Sequence, residues 1–419
     1  MGGGMSLREF VNRLERRGLL LRVRREVSPR YEAASLIRKA GERPVKLERV
    51  RGSPFPVVSN VCASRELVAL ALGVKPKNLL RTLLEAIEHP GEPERTRARG
   101  YRELPPDLGR LPILLHYPFD GGRYLTGGVV VARDPELGLN LSFHRMMVVG
   151  RDRVVVRILP RHFHTFLERG TREFAVCVGC APHVLLSAAT SLELGRSELG
   201  MAAALRRTRV VELGGHLVPE AEMVMIMEMT GEEREEGPFL DLTGTPDLVR
   251  RQRVARLRRL FVREGALYHA ILPAGPEHRV LMGLPREPTI FREVSRVCEC
   301  RDVHLTPGGC SWLHAVVSIR KKGPEDGRRA IEAAFRGHTS LKHVWVVDED
   351  IDPRDPREVE WAMATRFQGD RGMVVRRERG SSLDPSADPE TAVTTKVGFD
   401  LTIPCDRPRS LFLRPLSGR

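Results

Sequence analysis

Apolar residues in the opening stretch fall on one face of a helix. Leu7, Phe10, Val11 and Leu14 recur at helical spacing behind Ser6-Leu-Arg-Glu9, the signature of a capping box. The pattern predicts a helix to about Arg17, stopped by Gly18, and then a strand over Leu19 to Val23. A second helix is expected from about Tyr31 to Ala40, a strand over Val57-Val-Ser-Asn60, and a third helix from Arg65 to Leu72. This alternation predicts a small α/β domain over 1–105, with Pro90-Gly-Glu-Pro93 and Pro105-Pro106 punctuating its end.

From about Leu111 the texture changes. Gly127–Ala132, Leu139–Phe143, Arg153–Leu159, Phe174–Val178, Arg209–Leu213 and Met223–Met229 are short β-type runs separated by turns. One helical stretch, about Glu198 to Arg206, interrupts them. Many short strands in series suggest a barrel or folded sheet over 106–300. Over 301–419 α/β alternation returns. Glu325 to Phe335 reads as a helix, His343–Val347 as a buried strand, and Pro356 to Arg366 as a helix with proline in its first turn. The tail from about Gly380 reads as irregular, although it carries Lys396. The fold class expected is α+β in three domains.

Composition narrows the picture. A chain of 419 residues with 41% hydrophobic content can bury ordinary cores, and no run of eighteen apolar residues occurs, so no membrane span is expected. Met1 to Ser6 carries no apolar leader segment, and either Met1 or Met5 could start translation. The net charge of +14 suggests nucleic acid as a partner. Two features oppose that reading: basic residues are interleaved with acids along the whole chain, and aromatic residues make up only 5%. No lysine occurs between Lys77 and Lys321, so arginine carries nearly all the positive charge, as suits surface ion-pair networks. Seven cysteines at irregular spacing point to a reducing cytoplasm, and the Cys177-Val-Gly-Cys180 pair has no second pair to complete a zinc site.

Several motifs fail on inspection. Asp348-Glu-Asp350-Ile-Asp352 begins like a calcium loop, but Pro353 stands where glycine is required and Val359 where a bidentate glutamate is required. The acids instead lie between a strand and a helix N-terminus, where negative charge is favourable. HExxH, GxGxxG, the P-loop and the GxSxG elbow are absent. Asn140, His162 and Glu198 offer one amide oxygen, one imidazole and one carboxylate, a mixed set suited to Mn²⁺ or Mg²⁺, although each residue also has an ordinary structural explanation. Glu236-Gly-Pro-Phe-Leu-Asp241 follows an acidic run. Its Gly-Pro turn and apolar Phe239-Leu240 take the chain inward between two acids, a setting that favours a proton donor.

These segments together resemble the UbiD family of decarboxylases. The resemblance runs through Asp120-Gly-Gly-Arg-Tyr-Leu-Thr-Gly127, Asn140-Leu-Ser-Phe-His-Arg145, Pro160-Arg-His162, Ser197-Glu-Leu-Gly200, Glu236-Gly-Pro-Phe-Leu-Asp241, Val346-Val-Asp-Glu-Asp-Ile351 with Glu360-Trp-Ala362, and Lys396. It implies an N-terminal α/β domain, a central split β-barrel that binds prenylated FMN, and a C-terminal α/β domain that builds a homodimer or an assembly of dimers. It implies Arg145, Glu236 and Asp241 as the catalytic set. Asn140, His162 and Glu198 would hold a divalent metal, Mn²⁺ or Mg²⁺, and a K⁺ ion would sit on backbone oxygens around Leu141 and Ser187. Ser142, Phe143, His144, Arg145, Arg161 and Lys396 would line the cofactor with the metal ligands and Ser187. Arg161 stands where some relatives carry glutamine, and histidine at 162 is not universal.

The implied reaction is non-oxidative decarboxylation of an α,β-unsaturated acid. Arg145 would grip the carboxylate through a two-point contact, and Asp241 would deliver the proton. A flavin prenyltransferase would supply the cofactor. The chain is similar to the shorter archaeal-type members, which implies a phosphorylated aliphatic acid of a modified mevalonate route, with isopentenyl phosphate as product. An aromatic acid such as a polyprenyl-hydroxybenzoate is the alternative substrate on the same scaffold. A basic nucleic-acid-binding protein is the alternative from another class.

Overall fold

The computed structural model describes residues 4–412. Met1 therefore lies outside the described residues. Contacts divide the chain into two units, one ending at Leu281 and the other beginning at Met282.

The first unit opens with the helix Leu7–Arg16. Ser6 and Glu9 form the expected capping box, and Leu7, Phe10, Val11 and Leu14 are buried. A four-stranded sheet follows, in the order Leu21–Val27, Val45–Val50, Val57–Ser59, Tyr268–His269. Its first three strands are near neighbours in sequence, and the fourth arrives from far along the chain to pair with Val57–Ser59. Helices Glu32–Lys39, Arg65–Leu72 and Leu79–Glu88 accompany the sheet.

The centre of this unit is a nine-stranded sheet in which every pairing is antiparallel. Its order is Tyr124–Leu125, Met146–Val148, Arg153–Val156, Arg250–Arg263, Met223–Glu236, Glu173–Val178, Gly128–Asp134, Gly138–Phe143, and Tyr101–Leu104 pairs with Arg250–Arg263. The two long strands, each of 14 residues, form its spine. Met223, Met225 and Met227 alternate inward from one, and Leu257, Leu260 and Val262 face the core from the other. The run Arg250–Arg263 was not expected as a strand. Its arginines face outward onto acids, Arg253 on Glu168, Arg256 on Asp152 and Arg259 on Glu103, so a charge-rich stretch conceals a core strand.

A single helix was expected over 106–300; Pro276–Gly283 and Glu287–Ser295 lie near its end, and among the strands the expected helix, Glu198–Leu205, is joined by His162–Glu168 and Pro182–Ala189. Pro182–Ala189 is buried along nearly its whole length, so it has no polar face for a periodic pattern to reveal. The three helices among the strands pack against the strand Gly138–Phe143. Cys177 and Cys180 are free and buried.

The second unit is a five-stranded sheet ordered Glu299–Leu305, His314–Arg320, His343–Asp348, Val393–Asp400, Met373–Arg379. Helices Glu287–Ser295 and Asp326–Gly337 bury their apolar sides with it. The tail expected to be irregular supplies Val393–Asp400, a strand between His343–Asp348 and Met373–Arg379. Its polar residues Thr394 and Lys396 are buried, which masks its strand character in the sequence. Asp348 and Asp350 pair with the buried guanidinium of Arg366, in the last turn of the helix Pro356–Arg366, while Asp355 caps the first turn. Among the described residues no helix is long and apolar enough to cross a membrane.

Candidate active site

Glu236 is the last residue of the long strand Met223–Glu236, and its register partner Arg250 opens the returning strand. Between them the chain forms a small hairpin, in which Phe239 and Leu240 pair with Asp247 and Pro246. Gly244, at φ +78°, makes the turn. The hairpin base is tight against the Asp120–Gly121 segment. Gly121 N–H donates to Pro238 O at 2.8 Å, and a Cβ at Gly121 would lie 2.0 Å from Gly237 O, so only glycine fits.

Arg145 lies between the strands Gly138–Phe143 and Met146–Val148, with its guanidinium 4.6 Å over the Phe239 ring. Its Nε donates to Glu236 Oε1 at 2.9 Å and its Nη2 to Glu236 Oε2 at 2.8 Å. Nη2 also donates to Asp247 Oδ2 at 2.8 Å, and Nη1 donates to Asp241 Oδ2 at 2.7 Å. Tyr124 OH donates to Glu236 Oε1 at 3.0 Å. Burial alone would lower the Arg145 pKa, but Glu236, Asp241 and Asp247 outweigh it and raise it. Burial pushes Asp247 upward; bonds from Arg250 and Arg145 outweigh that and hold its carboxyl below the usual range. The sequence-expected trio of Arg145, Glu236 and Asp241 thus meets. Asp247, Arg250 and Tyr124 were not anticipated. The signal for Asp247 was the turn at Thr243-Gly244-Thr245, which brings the chain back beside Phe239.

A second polar group lies on the strand Gly138–Phe143 and the residues after it. Asn140, Ser142 and His144 alternate, so their side chains share a face. Asn140 Nδ2 is 3.2 Å from both Glu198 oxygens, and Leu141 N–H donates to Glu198 Oε2 at 2.8 Å. Ser142 Oγ lies 3.2 Å from Asn140 Oδ1 and 3.1 Å from His144 Nε2. His144 Nδ1 faces Arg157 O at 3.0 Å, and its ring packs on Phe163 at 5.0 Å. Burial drives His144 down to about 4, so it is neutral. Glu198 is the first residue of its helix and is 1% exposed. Burial pushes its carboxyl up to about 7 against the pull of the Leu141 N–H, and no cation pairs with it among the described residues.

His162 opens the helix His162–Glu168 and is half-buried; no hydrogen bond or ion pair joins it to Asn140 or Glu198 among the described residues. Partial burial lowers the pKa of Arg161, and among the described residues no acid offsets this. Among the described residues one buried carboxylate has no cation and one exposed guanidinium has no acid, a pair that fits a divalent metal and a phosphate. No group of three or more His, Cys, Asp or Glu residues converges among the described residues, so protein carboxylates and imidazoles alone do not complete a metal site. Ser187 lies inside Pro182–Ala189, where its Oγ donates to His183 O at 2.9 Å. Phe143 ends its strand, paired with Val129. Lys396 is in the second unit, where its Nζ donates to Thr339 O at 2.7 Å and pairs with Glu378 at 3.0 Å.

A third feature escaped the sequence. The Arg38 guanidinium lies 5.1 Å over the Tyr117 ring, and Tyr117 OH donates to Pro273 O at 3.0 Å. Pro273 leads into the helix bearing His278 and Arg279. Burial raises the Tyr117 pKa, and the charges of Arg38 and Arg279 both oppose this. The buried Nε of Arg279 has no hydrogen-bond partner among the described residues. His278, kept neutral by burial, senses the charges of Asp241 and Arg145.

Three family models match the chain in succession: the N-terminal domain of 3-octaprenyl-4-hydroxybenzoate carboxy-lyase over 11–87, its Rift-related domain over 93–276 and its C-terminal domain over 279–401. The anhydromevalonate phosphate decarboxylase of Methanothermobacter thermautotrophicus is 45% identical over 415 residues, 95% of this chain and 97% of that protein. The UbiD-class enzyme HmfF from Pelotomaculum thermopropionicum, solved in complex with FMN, superposes with a TM-score of 0.94 at 36% identity, covering 98% of this chain and 97% of that one. An evolved dimeric form of HmfF in complex with prFMN gives a TM-score of 0.88 at 34% identity, covering 98% of this chain and 99% of that one.

Proposed function

The chain belongs to the UbiD family of carboxy-lyases, and we propose that it decarboxylates trans-anhydromevalonate 5-phosphate to isopentenyl phosphate with prenylated FMN. The observation that carries this reading is Arg145, held by Glu236, Asp241 and Asp247 in one buried cluster. The cofactor supplies the electron sink that no side chain can offer when carbon dioxide leaves an unsaturated carbon. Glu198 and Asn140, with His162, would hold Mn²⁺ or Mg²⁺; Arg161 would meet the cofactor phosphate, and K⁺ would take backbone oxygens near Leu141 and Ser187.

The remaining work falls to side chains of the cluster. Glu236 occupies the Nε and Nη2 edge of Arg145, and Asp247 takes the other Nη2 hydrogen, so the two-point grip expected from sequence is not open to a substrate. The substrate carboxylate approaches Nη1 instead. Asp241, on that same nitrogen, holds the proton that replaces carbon dioxide on carbon. The side chains of the cluster are largely buried, which limits water around that proton. The substrate phosphate is met by Arg38 and Arg279 beside Tyr117. An aromatic acid, as the family description suggests, is the second reading. The protein works in the cytoplasm as a homodimer or assembly of dimers built through the C-terminal domain, with its cofactor made by a flavin prenyltransferase.

The test is co-production with a flavin prenyltransferase, followed by a panel of phosphorylated and unphosphorylated unsaturated acids and aromatic acids. Carbon dioxide release from the phosphorylated aliphatic acid is the expected result. Release from aromatic acids alone would replace this substrate with the second reading.

A further inference from the structure

A guanidinium has five N–H donors. Glu236 takes the Nε hydrogen of Arg145 and one on Nη2, Asp247 takes the second on Nη2, and Asp241 takes one on Nη1. A single Nη1 hydrogen is left. A substrate carboxylate arriving there shares its nitrogen with Asp241 Oδ2. Two carboxylates side by side on one nitrogen cannot both stay charged without a large penalty.

The charge balance points the same way. Arg145, Arg157 and Arg250 face Glu236, Asp241 and Asp247, three cations to three anions, and Asp120 beside them is a further carboxyl, so no cation is to spare. The neighbouring titratable groups are Tyr124, which donates to Glu236; Asp120, pushed up to about 6 by burial but held by the Tyr117 N–H; and His278, neutral and close to Asp241. The side chains of Arg145, Glu236, Asp241 and Asp247 are 10%, 0%, 18% and 11% exposed, so an added carboxylate would leave an uncompensated buried charge. A proton must enter with it. Glu236 holds two guanidinium nitrogens and the Tyr124 hydroxyl. Asp247 holds Arg145 through Oδ2, and Arg250 at 2.7 Å and the Leu248 N–H at 2.8 Å through Oδ1. Asp241 holds one guanidinium nitrogen and the Leu242 N–H.

We propose that Asp247 is a positioning residue that decides which carboxyl of the cluster carries the proton: locked between Arg145 and Arg250 it stays charged, so the proton that enters with the acid resides on Asp241. The inference rests on the reading of Arg145 as the dock for the substrate carboxylate. It makes substrate binding itself the step that arms the proton donor.

The test is calorimetric titration of the full-length protein with the saturated acid 3-methyl-5-phosphooxypentanoate at pH 8, in two buffers of different ionisation enthalpy. The wild type should take up about one proton per acid bound, and Asp247→Asn markedly less, because the variant has one buried anion fewer. In the cofactor-loaded enzyme Asp247→Asn should lower kcat about 10- to 100-fold without raising KM, and should move the alkaline limb of kcat to lower pH. Asp247→Glu should restore both. A merely structural role would raise KM and leave the proton count and the alkaline limb where they were. Equal proton counts in wild type and Asp247→Asn overturn the proposal. A wild-type count near zero overturns it without recourse to any variant. Failure of the loaded wild type to decarboxylate, with the proton counts as expected, would instead remove the reading of function; failure of the wild type to bind the acid removes both.

Discussion

The Arg145 cluster and the Asn140–Glu198 pair belong to the same unit and are both buried, yet they are opposites electrostatically. In the first, each carboxylate touches a guanidinium, and the charges balance within the protein. In the second, a buried carboxylate is held by an amide and a backbone N–H, with no cation paired to it among the described residues. Only one of the two is therefore complete by itself. The arginine cluster is preorganised, since its dipoles and charges are fixed before any ligand arrives. The glutamate site is unfinished, and its unmet charge is a demand for a cation from outside the chain.

Removing chemistry from the balanced site while leaving its shape should have the greatest consequence. Asp241→Asn should lower kcat by about 10³-fold while the flavin absorbance of the purified protein is unchanged. Unchanged turnover would show that the proton comes from elsewhere.

The unfinished site should respond to pH in the metal-free protein. Burial raises Glu198 from 4.5 to about 7, so its contribution to stability is fully present below about pH 4.5 and is lost as pH rises through about 7. Relative to Glu198→Gln, the metal-free wild type should lose about 3 kcal/mol across that window, on the order of 1.4 kcal/mol per pH unit. Added Mn²⁺ should restore the wild type and not the variant. Parallel denaturation curves for the two proteins would erase the distinction between the sites.

Smaller effects are expected at the margins of the cluster. Arg279→Gln should raise KM for a phosphorylated acid about tenfold with kcat nearly unchanged, and should leave an unphosphorylated analogue unaffected. Equal effects on both substrates would remove Arg279 from phosphate recognition. Tyr124→Phe deletes one bond to Glu236 and should cost about 1 kcal/mol, seen as a few-fold loss in kcat/KM; no change would mean that Arg145 alone holds Glu236 in place.

The two sites also differ in how far they could be read from sequence. The helices Arg65–Leu72 and Pro356–Arg366 and the strand Arg209–Leu213 follow local pattern, and their bounds were legible. The mixed α/β class followed from that alternation. Arg250–Arg263 was hidden because its outward arginines dominate its composition, and Pro182–Ala189 because burial on nearly all sides leaves no amphipathic period. Arg145, Glu236 and Asp241 stood out as charges beside apolar and turn residues. Asp247 did not, because its meeting with Arg145 depends on a hairpin that returns Pro246–Asp247 to Phe239–Leu240, and its one local mark, the turn at Gly244, does not say which charge the returning chain will meet. Arg38 and Arg279 come together only through Tyr117, and no spacing in the chain relates them.

Whether Asp241 protonates the product can be read from a single turnover in D₂O by the cofactor-loaded chain with trans-anhydromevalonate 5-phosphate. The product should carry one deuterium on the carbon that lost carbon dioxide, and Asp241→Asn should yield none within the same time. Deuterated product formed at the wild-type rate by Asp241→Asn would contradict the role given to that carboxyl.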